Sequence, residues 1–527
     1  MRRSAAPSRP RAALLAAMLL ALLAGPAAGQ GGPPAGAAPP PELDAYLQKA
    51  LRDWGLPGLA VAVVRNDSIL YARGYGVREM GKPERVDEHT AFDAASLTKS
   101  FTSAAIAMLV DEGKMGWDVP VRRYLPELEL ADPYLTQNVT LRDLLSHRTG
   151  LRASNPMWRF TGNPRDEVLR RTRHVPVQVP FRTALVYSNL GYTIAGEASA
   201  RAAGEPWESL IRRRLLDPLG MTDSFLWSEW GRHPASLRNV ASAHAMIDGR
   251  QQVIDRRDGA PDRDGRNTTA PAGSVQSSAL DLARWMRFQL AGGTLDGRRL
   301  VSEAALAETQ APQIVVPTTA AFREARQLRY FAAYGMGWQV WDYRGHPMLW
   351  HTGSGNGQIA YMALLPRERI GVVVLINSWR STILHGSLVA RILDFYLGEP
   401  TKDYSGELLR SDSAALVQVE ARRRAFAAAA DSVRPPLRPL GAFVGTYHDP
   451  LHGDVSIARE GEGLTLRLSR GEVAELRPWR GDTLLVQWRR PLLAEQYTAF
   501  AVFPAGDTSP RSLVIALGRD TVAGTRR

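Results

Sequence analysis

The chain contains no cysteine. That absence excludes a disulfide framework, a cysteine nucleophile and a thiolate metal site, so the fold has to be held by its core alone. At 527 residues it is long enough to bury such a core, and two or more domains are expected of it. Lysine is nearly as scarce, with five residues in a combined Lys and Arg count of 65. The ten histidines show neither H-x-H nor H-E-x-x-H spacing, which argues against a catalytic metal. No complete G-x-x-x-x-G-K-S/T phosphate loop occurs, and a G-x-S-x-G nucleophile elbow is absent where an α/β-hydrolase would need one. No cofactor is called for. Beyond the N-terminus no stretch is apolar enough to cross a membrane, so a soluble mature protein without stable membrane insertion is expected.

What is present begins with a leader. Met1 to Arg11 carries four arginines and no acid, Ala12 to Leu23 is a run of Ala, Leu and Met, and Pro26-Ala27-Ala28-Gly29 ends it with small residues. Residues 1–29 therefore read as a cleaved signal peptide, with an uncleaved anchor as the alternative, and a periplasmic or secreted location is expected. No cysteine follows to carry a lipid. The formal charge is +12, of which four charges belong to those leader arginines, leaving +8. The remaining arginines are dispersed, and the clusters 212–214 and 422–424 lie in amphipathic helical patterns. They read as solvated helix faces rather than a nucleic-acid surface, with attraction to an anionic envelope still open.

Residues 30–41 are rich in Gly, Pro and Ala, the composition of a flexible spacer. A helical pattern follows from Pro41, then β-rich runs at Leu59–Val64 and Ser68–Tyr75. Roughly Ala91 to Ala291 is mainly helical in pattern. Strand character returns at Met336–Tyr343, Pro347–Trp350, Gln358–Leu365 and Ile370–Asn377, and Ile383–Leu397 reads as a closing helix. This order predicts an α+β fold, with both ends of the segment 42–398 feeding one antiparallel sheet flanked by helices and a helical subdomain between them. Residues 399–436 read as a linker with a helix at Ala414–Ala430. In 437–527, short alternating runs at Val455–Ala458, Leu464–Leu468, Leu484–Trp488, Ala499–Phe503 and Ser512–Leu517 predict a small β domain, a barrel or sandwich.

Three constellations carry chemistry. In Ala94-Ala95-Ser96-Leu97-Thr98-Lys99-Ser100, a Ser and a Lys three apart at the start of a helix share one face. A buried lysine with a lowered pKa can accept the serine proton, and the helix start favours an oxyanion. The same pattern also fits an exposed lysine behind a capping serine, but Phe101, Ala104, Ala105 and Met108 mark the helix as buried, and a buried lysine needs a reason. The second is Tyr187-Ser188-Asn189. Beside a lysine, Tyr187 can exist partly as phenolate and serve as general base, while Asn189 offers an amide donor. A turn with Asn189 as helix cap is the other reading. The third, Trp350-His351-Thr352-Gly353-Ser354-Gly355, lies at the end of a strand that can offer a backbone N–H to an oxyanion, with glycine letting substrate approach closely.

S-x-x-K, then Y-x-N, then H/K-T-G, in that order, resembles the serine β-lactamase and penicillin-binding-protein superfamily. The nearest branch is the class C β-lactamase-like (peptidase S12-type) group. Leu144-Leu145-Ser146-His147-Arg148-Thr149-Gly150-Leu151, Pro218-Leu219-Gly220-Met221-Thr222-Asp223-Ser224 and Pro271-Ala272-Gly273-Ser274-Val275 are similar to phrases of that group. The C-terminal segment resembles its appended lipocalin-like domain. The resemblance implies a β-lactamase/transpeptidase-like fold and an exported serine hydrolase cleaving a small peptide, amide or ester through an acyl-enzyme. It implies Ser96 as nucleophile, Lys99 and Tyr187 for proton transfer, and Asn189 holding the substrate amide. His351, Thr352, Gly353 and Ser354 would line the substrate strand, with the Ser96 and Ser354 N–H groups as oxyanion hole. His351 stands where β-lactamases carry lysine, and a histidine is only partly charged near neutral pH. This favours a D-amino-acid-type peptidase or esterase over a β-lactamase or D-alanyl-D-alanine carboxypeptidase. A non-catalytic envelope binding protein on the same fold is the rival from another class. His147 reads as structural, a histidine favoured by the dipole at a helix C-terminus.

Overall fold

The computed structural model describes residues 41–254, 265–320, 330–380, 383–400, 402–431, 436–504, 509–517 and 520–527. The expected signal peptide and nearly all of the expected spacer lie outside the described residues. Helix α1 (Pro41–Asp53) buries Leu43, Leu47 and Ala50 on one face, the amphipathic spacing its sequence carries. It leads into strands β1 (Gly58–Arg65) and β2 (Ser68–Gly76). The helical region contains α2 (Thr98–Asp111), α3 (Leu141–Leu145), α4 (Pro156–Arg159), α5 (Asn189–Ala203) and α6 (Ala279–Leu290).

The chain then returns to the sheet through β3 (Ile314–Val315), β4 (Ala332–Tyr334), β5 (Gln339–Tyr343), β6 (His346–Gly355), β7 (Gln358–Leu365) and β8 (Ile370–Ile376). The sheet is eight-stranded in the order β3-β4-β5-β6-β7-β8-β1-β2, so the first and last strands of the segment meet at β8 and β1. β1, β7 and β8 are buried along almost their whole length, because the sheet is covered on both faces. One face packs on the helical region and the other on α1 and α7 (Leu384–Leu397). The fold is thus α+β.

Of the strand expected at Met336–Tyr343 only Gln339–Tyr343 forms, as β5, and a further short strand, β4, lies just before the expected run. Gly337 adopts φ +90, and a Cβ there would meet the Lys99 carbonyl at 2.9 Å, so the turn between β4 and β5 can press against α2 only as glycine.

Helix α8 (Tyr404–Asp431) begins ten residues before the expected start. Its first turn is tied to the α+β region by the Trp54 Nε1 hydrogen bond to Ser405 Oγ (3.0 Å), and Phe426 stacks on Trp479 at 5.2 Å. Beyond it β9 (Gly445–Asp449), β10 (Gly453–Glu460), β11 (Gly463–Leu468), β12 (Val473–Arg480), β13 (Thr483–Trp488), α9 (Pro491–Gln496), β14 (Ala499–Val502), β15 (Ser512–Leu517) and β16 (Asp520–Arg526) follow in order. The eight strands close into an up-and-down barrel, with β9 pairing β16. Alternate residues such as Leu464, Leu466 and Leu468 point inward and pack with Val486, Ile515 and Val522 into a filled core.

An aromatic plug seats the barrel on the α+β region. Phe160, just after α4, is 2 % exposed and packs with the barrel residues Trp488 (5.3 Å) and Tyr497 (5.2 Å). Its carbonyl accepts from Glu472 N–H at 2.8 Å, and Thr161 O accepts from Arg470 N–H at 2.9 Å. A Cβ at Gly471 would run into the Phe160 carbonyl, so glycine is needed for this close approach. Among the described residues no helix is long and apolar enough to cross a membrane.

Candidate active site

Ser96 sits on a 3₁₀ turn (Ala95–Leu97) that runs straight into α2, not within the first α-helical turn. Ala95 is held at φ +45, a left-handed conformation costly for a residue with a Cβ. The buried Asp93 side chain holds this turn. Its Oδ1 accepts from Ala95 N–H (3.0 Å) and Gln276 Nε2 (2.9 Å), and its Oδ2 from Arg266 (2.5 Å).

The turn packs against the end of β6. β5 pairs with β6 only as far as Trp350, so the edge from His351 to Gly355 has no strand neighbour on that side. A Cβ at Gly353 would collide with the Ala94 carbonyl, and one at Gly355 with the Asp93 carboxylate. The glycines thus serve contact between the strand and the Ser96 turn, where the sequence had suggested an approach by substrate.

Lys99 is fully buried and its Nζ has three partners: Ser96 Oγ (2.9 Å), Asn189 Oδ1 (2.9 Å) and Ala272 O (2.8 Å). No carboxylate is among them, and burial holds the amine well below the usual lysine range. A neutral amine has two N–H groups and one lone pair. Asn189 Oδ1 and Ala272 O can only accept, so they take the two N–H groups. In that form the lone pair faces the Ser96 hydroxyl, whereas the ammonium donates to all three acceptors. Either form keeps Nζ within proton-transfer reach of Ser96 Oγ.

Tyr187 OH donates to Ser96 Oγ at 2.9 Å, and Lys99 Nζ lies 4.9 Å from the Tyr187 ring centroid. Burial pushes the phenol up and the Ser96 hydrogen bond pulls it back. Because Tyr187 is 37 % exposed, water screens part of that burial, but the direction opposes the resting phenolate expected from the sequence. Tyr187 is poised as a proton donor. Asn189 opens α5, with Ser188 at the cap position, so its side chain is free for Lys99 and does not serve as the cap.

His351 lies 3 % exposed with both ring nitrogens engaged. Its Nδ1 donates to Thr352 O (2.6 Å), which leaves Nε2 to accept from Tyr334 OH (2.9 Å). Burial and the nearby Lys99 push its pKa down to about 3, so the ring is neutral. It belongs to an aromatic cluster and is not free to meet a substrate carboxylate as a cation. Ser354 is exposed and lines the cleft, while Thr352 is half-buried.

His147 adjoins the same cluster. Its ring stands 4.3 Å from Tyr187 and 4.8 Å from Tyr334, and its Nδ1 accepts from Ser188 N–H at 3.2 Å. Burial, then Lys99 and His351, hold it well below the usual histidine range. A charge–dipole role at the end of α3 is therefore replaced by a neutral ring that orients the Tyr187 segment.

The cleft in front of Ser96 has a volume of about 310 Å³. Ser96, Asn189, Ala272 and Ser354 line it together with Asn155, Trp158, Arg159 and Arg266. Sequence reasoning passed over these last four. Ala272 lies in a phrase quoted for its resemblance, whereas Arg159 and Arg266 carry no local signal in an arginine-rich chain. Among the described residues no group of three or more His, Asp or Glu gathers as metal ligands would.

Comparison with known proteins places this geometry. Residues 43–394 match the beta-lactamase family model, and residues 429–516 match a domain of unknown function, DUF3471. The chain is 27 % identical over 436 residues to the unguisins hydrolase ungD of Aspergillus violaceofuscus, covering 77 % of this chain and 75 % of that protein. It is 25 % identical over 347 residues to the D-alanyl-D-alanine-carboxypeptidase/endopeptidase AmpH of Escherichia coli K12, covering 64 % of this chain and 83 % of that one. The octameric penicillin-binding protein homologue from Pyrococcus abyssi superposes with a TM-score of 0.59 over 92 % of this chain and 99 % of its own, at 20 % identity, a likeness of fold.

Proposed function

The chain belongs to the beta-lactamase family of serine hydrolases, and from that premise we propose that it is an exported enzyme that cleaves a peptide, amide or ester bond through an acyl-enzyme on Ser96. The observation that carries this reading is Lys99 Nζ, buried without a carboxylate and in hydrogen-bond contact with Ser96 Oγ. As Oγ attacks the carbonyl carbon, its proton passes to Lys99 Nζ and an oxyanion forms, for which the backbone N–H groups of Ser96 and Ser354 are the donors. Collapse breaks the bond to the leaving group, which takes the Tyr187 proton. Lys99 and Tyr187 both reach Ser96 Oγ, so the proton held by Lys99 returns to Tyr187 around the acylated oxygen. Water then repeats the sequence in reverse roles and frees Ser96.

Within this class we favour a D-amino-acid-type peptidase or esterase over a β-lactamase. The neutral, buried His351 supports that ranking, since it offers no charge to the carboxylate of a β-lactam. Similarity to a D-alanyl-D-alanine-carboxypeptidase/endopeptidase supports a peptide substrate. The basic, apolar and small-residue pattern of residues 1–29 supports export. Labelling with a fluorophosphonate tests the mechanism: the wild type is expected to be modified on Ser96 and Ser96→Ala to remain unmodified. Absence of labelling by any acylating probe would leave a binding protein as the better reading. Side-by-side hydrolysis of p-nitrophenyl esters, D-alanyl amides and nitrocefin tests the ranking, which rapid nitrocefin turnover would reverse.

A further inference from the structure

Among the described residues lining the cleft, the only charged side chains are two arginines, Arg159 and Arg266. They differ in what neutralises them. Arg266 is 9 % exposed and paired with the buried Asp93, so its charge is spent on holding the nucleophile turn. Among the described residues Arg159 has no carboxylate partner. Its NH2 donates to Asn356 Oδ1 at 2.9 Å and to Gln496 Oε1 at 3.5 Å, both neutral acceptors, and its guanidinium lies 5.8 Å from the Tyr497 ring centroid.

An arginine with an unneutralised charge, fixed through one nitrogen, keeps the rest of its donor fork for a ligand. The fork matches a carboxylate in shape and charge. Since no acid among the described lining residues opposes it, the cleft mouth favours an anion.

The fixing groups are informative, because Gln496 and Tyr497 belong to the C-terminal barrel region. In Trp158-Arg159-Phe160 three successive side chains divide between the two parts of the molecule: Trp158 lines the cleft, Phe160 is the plug in the barrel, and Arg159 reaches both. We propose that Arg159, latched by α9 of the barrel, is the receptor for a carboxylate on the substrate, so that the enzyme prefers acyl donors bearing a negative charge near the scissile bond. This rests on the acyl-enzyme reading of Ser96 and adds a substrate class to it. The guanidinium stands beside the end of β6, bonded to Asn356, and Gln496 of the barrel sets its other contact.

Two fluorophosphonates test this on the full-length protein, one with a plain alkyl chain and one whose chain ends in a carboxylate. The readout is the ratio of their labelling rate constants at Ser96, followed by intact mass with Ser96→Ala as blank. Arg159→Met is expected to lower the carboxylate-to-neutral ratio about tenfold, the size of one charge-assisted hydrogen bond. Arg159→Lys should fall between, and Gln496→Ala should lower the ratio about two- to threefold by loosening the latch. An unchanged ratio in Arg159→Met, with both probes still reacting, would overturn the proposal. A drop in Arg159→Met without one in Gln496→Ala would overturn the latch alone. Wild type that reacts with neither probe would overturn the Ser96 reading itself.

Discussion

At the inner end of the cleft Lys99, His147 and His351 lie buried together, with no carboxylate among their hydrogen-bond partners. At its mouth Arg266 is paired with Asp93, and Arg159 stays half-buried and charged. The same physics explains both ends. Burial penalises the charged form of a base, and a group that can shed its proton does so. Lysine and histidine can, and burial pulls the pKa of Lys99, His147 and His351 down; arginine cannot, and must be paired or kept in contact with water. One cleft thereby holds a proton acceptor and a fixed positive charge without either cancelling the other.

The largest effect should come from removing the neutral base. Lys99→Ala strands the Ser96 proton and is expected to lower kcat/KM on the best ester by about 10³-fold or more, with little change in KM. Tyr187→Phe keeps the ring against His147 but removes the proton donor, and about a 10²-fold loss in kcat is expected. If leaving groups of low pKa are affected as strongly as poor ones, Tyr187 is not the acid. His351→Ala should cost about tenfold or less, through lost packing around Tyr334 and not through lost charge. A loss equal to that of Lys99→Ala would erase the distinction between the base and its surroundings.

The smallest effect concerns pH. Lys99 has a depressed pKa and acts as the free amine, so kcat/KM should rise with pH through that pKa and then level off. His351, pushed down to about 3, is already neutral throughout the working range, so it should add no inflection between about pH 5 and 8. The acid limb should therefore keep its position in His351→Gln. A limb that disappears in that variant would show that the histidine, and not the lysine, titrates.

Much of the fold can be read from patterns of short range. The runs that became β1, β2, β7 and β8 are apolar and β-branched, and the closing helix has strong periodicity. Local breaks were harder to read. The β4–β5 turn depends on Gly337 meeting the Lys99 backbone, a contact between residues 238 positions apart. In the barrel, β9, β12 and β16 lack a clear alternating apolar pattern because only two residues of each are buried, set in Val473–Arg480 among exposed Glu and Arg. Their pairing with neighbours on either side supplies what their own patterns lack.

At the site, spacing alone paired Ser96 with Lys99, because a serine and lysine three apart on a helix must share a face, while Tyr187 and Asn189 joined them through the resemblance to the serine β-lactamase and penicillin-binding-protein superfamily. The buried character of that helix was likewise visible in its alanines and phenylalanine. What residue type could not decide was charge. Whether His351 is a cation facing substrate or a neutral ring bonded to Tyr334 depends on which groups surround it, and Lys99, Tyr187 and Tyr334 come to it from three other segments. Nor could the chain as text single out Arg159 from its many other arginines. Its distinction lies in standing between Trp158 and Phe160, with the cleft on one side and the barrel on the other. Local spacing determines which side chains can meet. Only tertiary packing sets the dielectric and the partners around them, and these decide which of them carry charge.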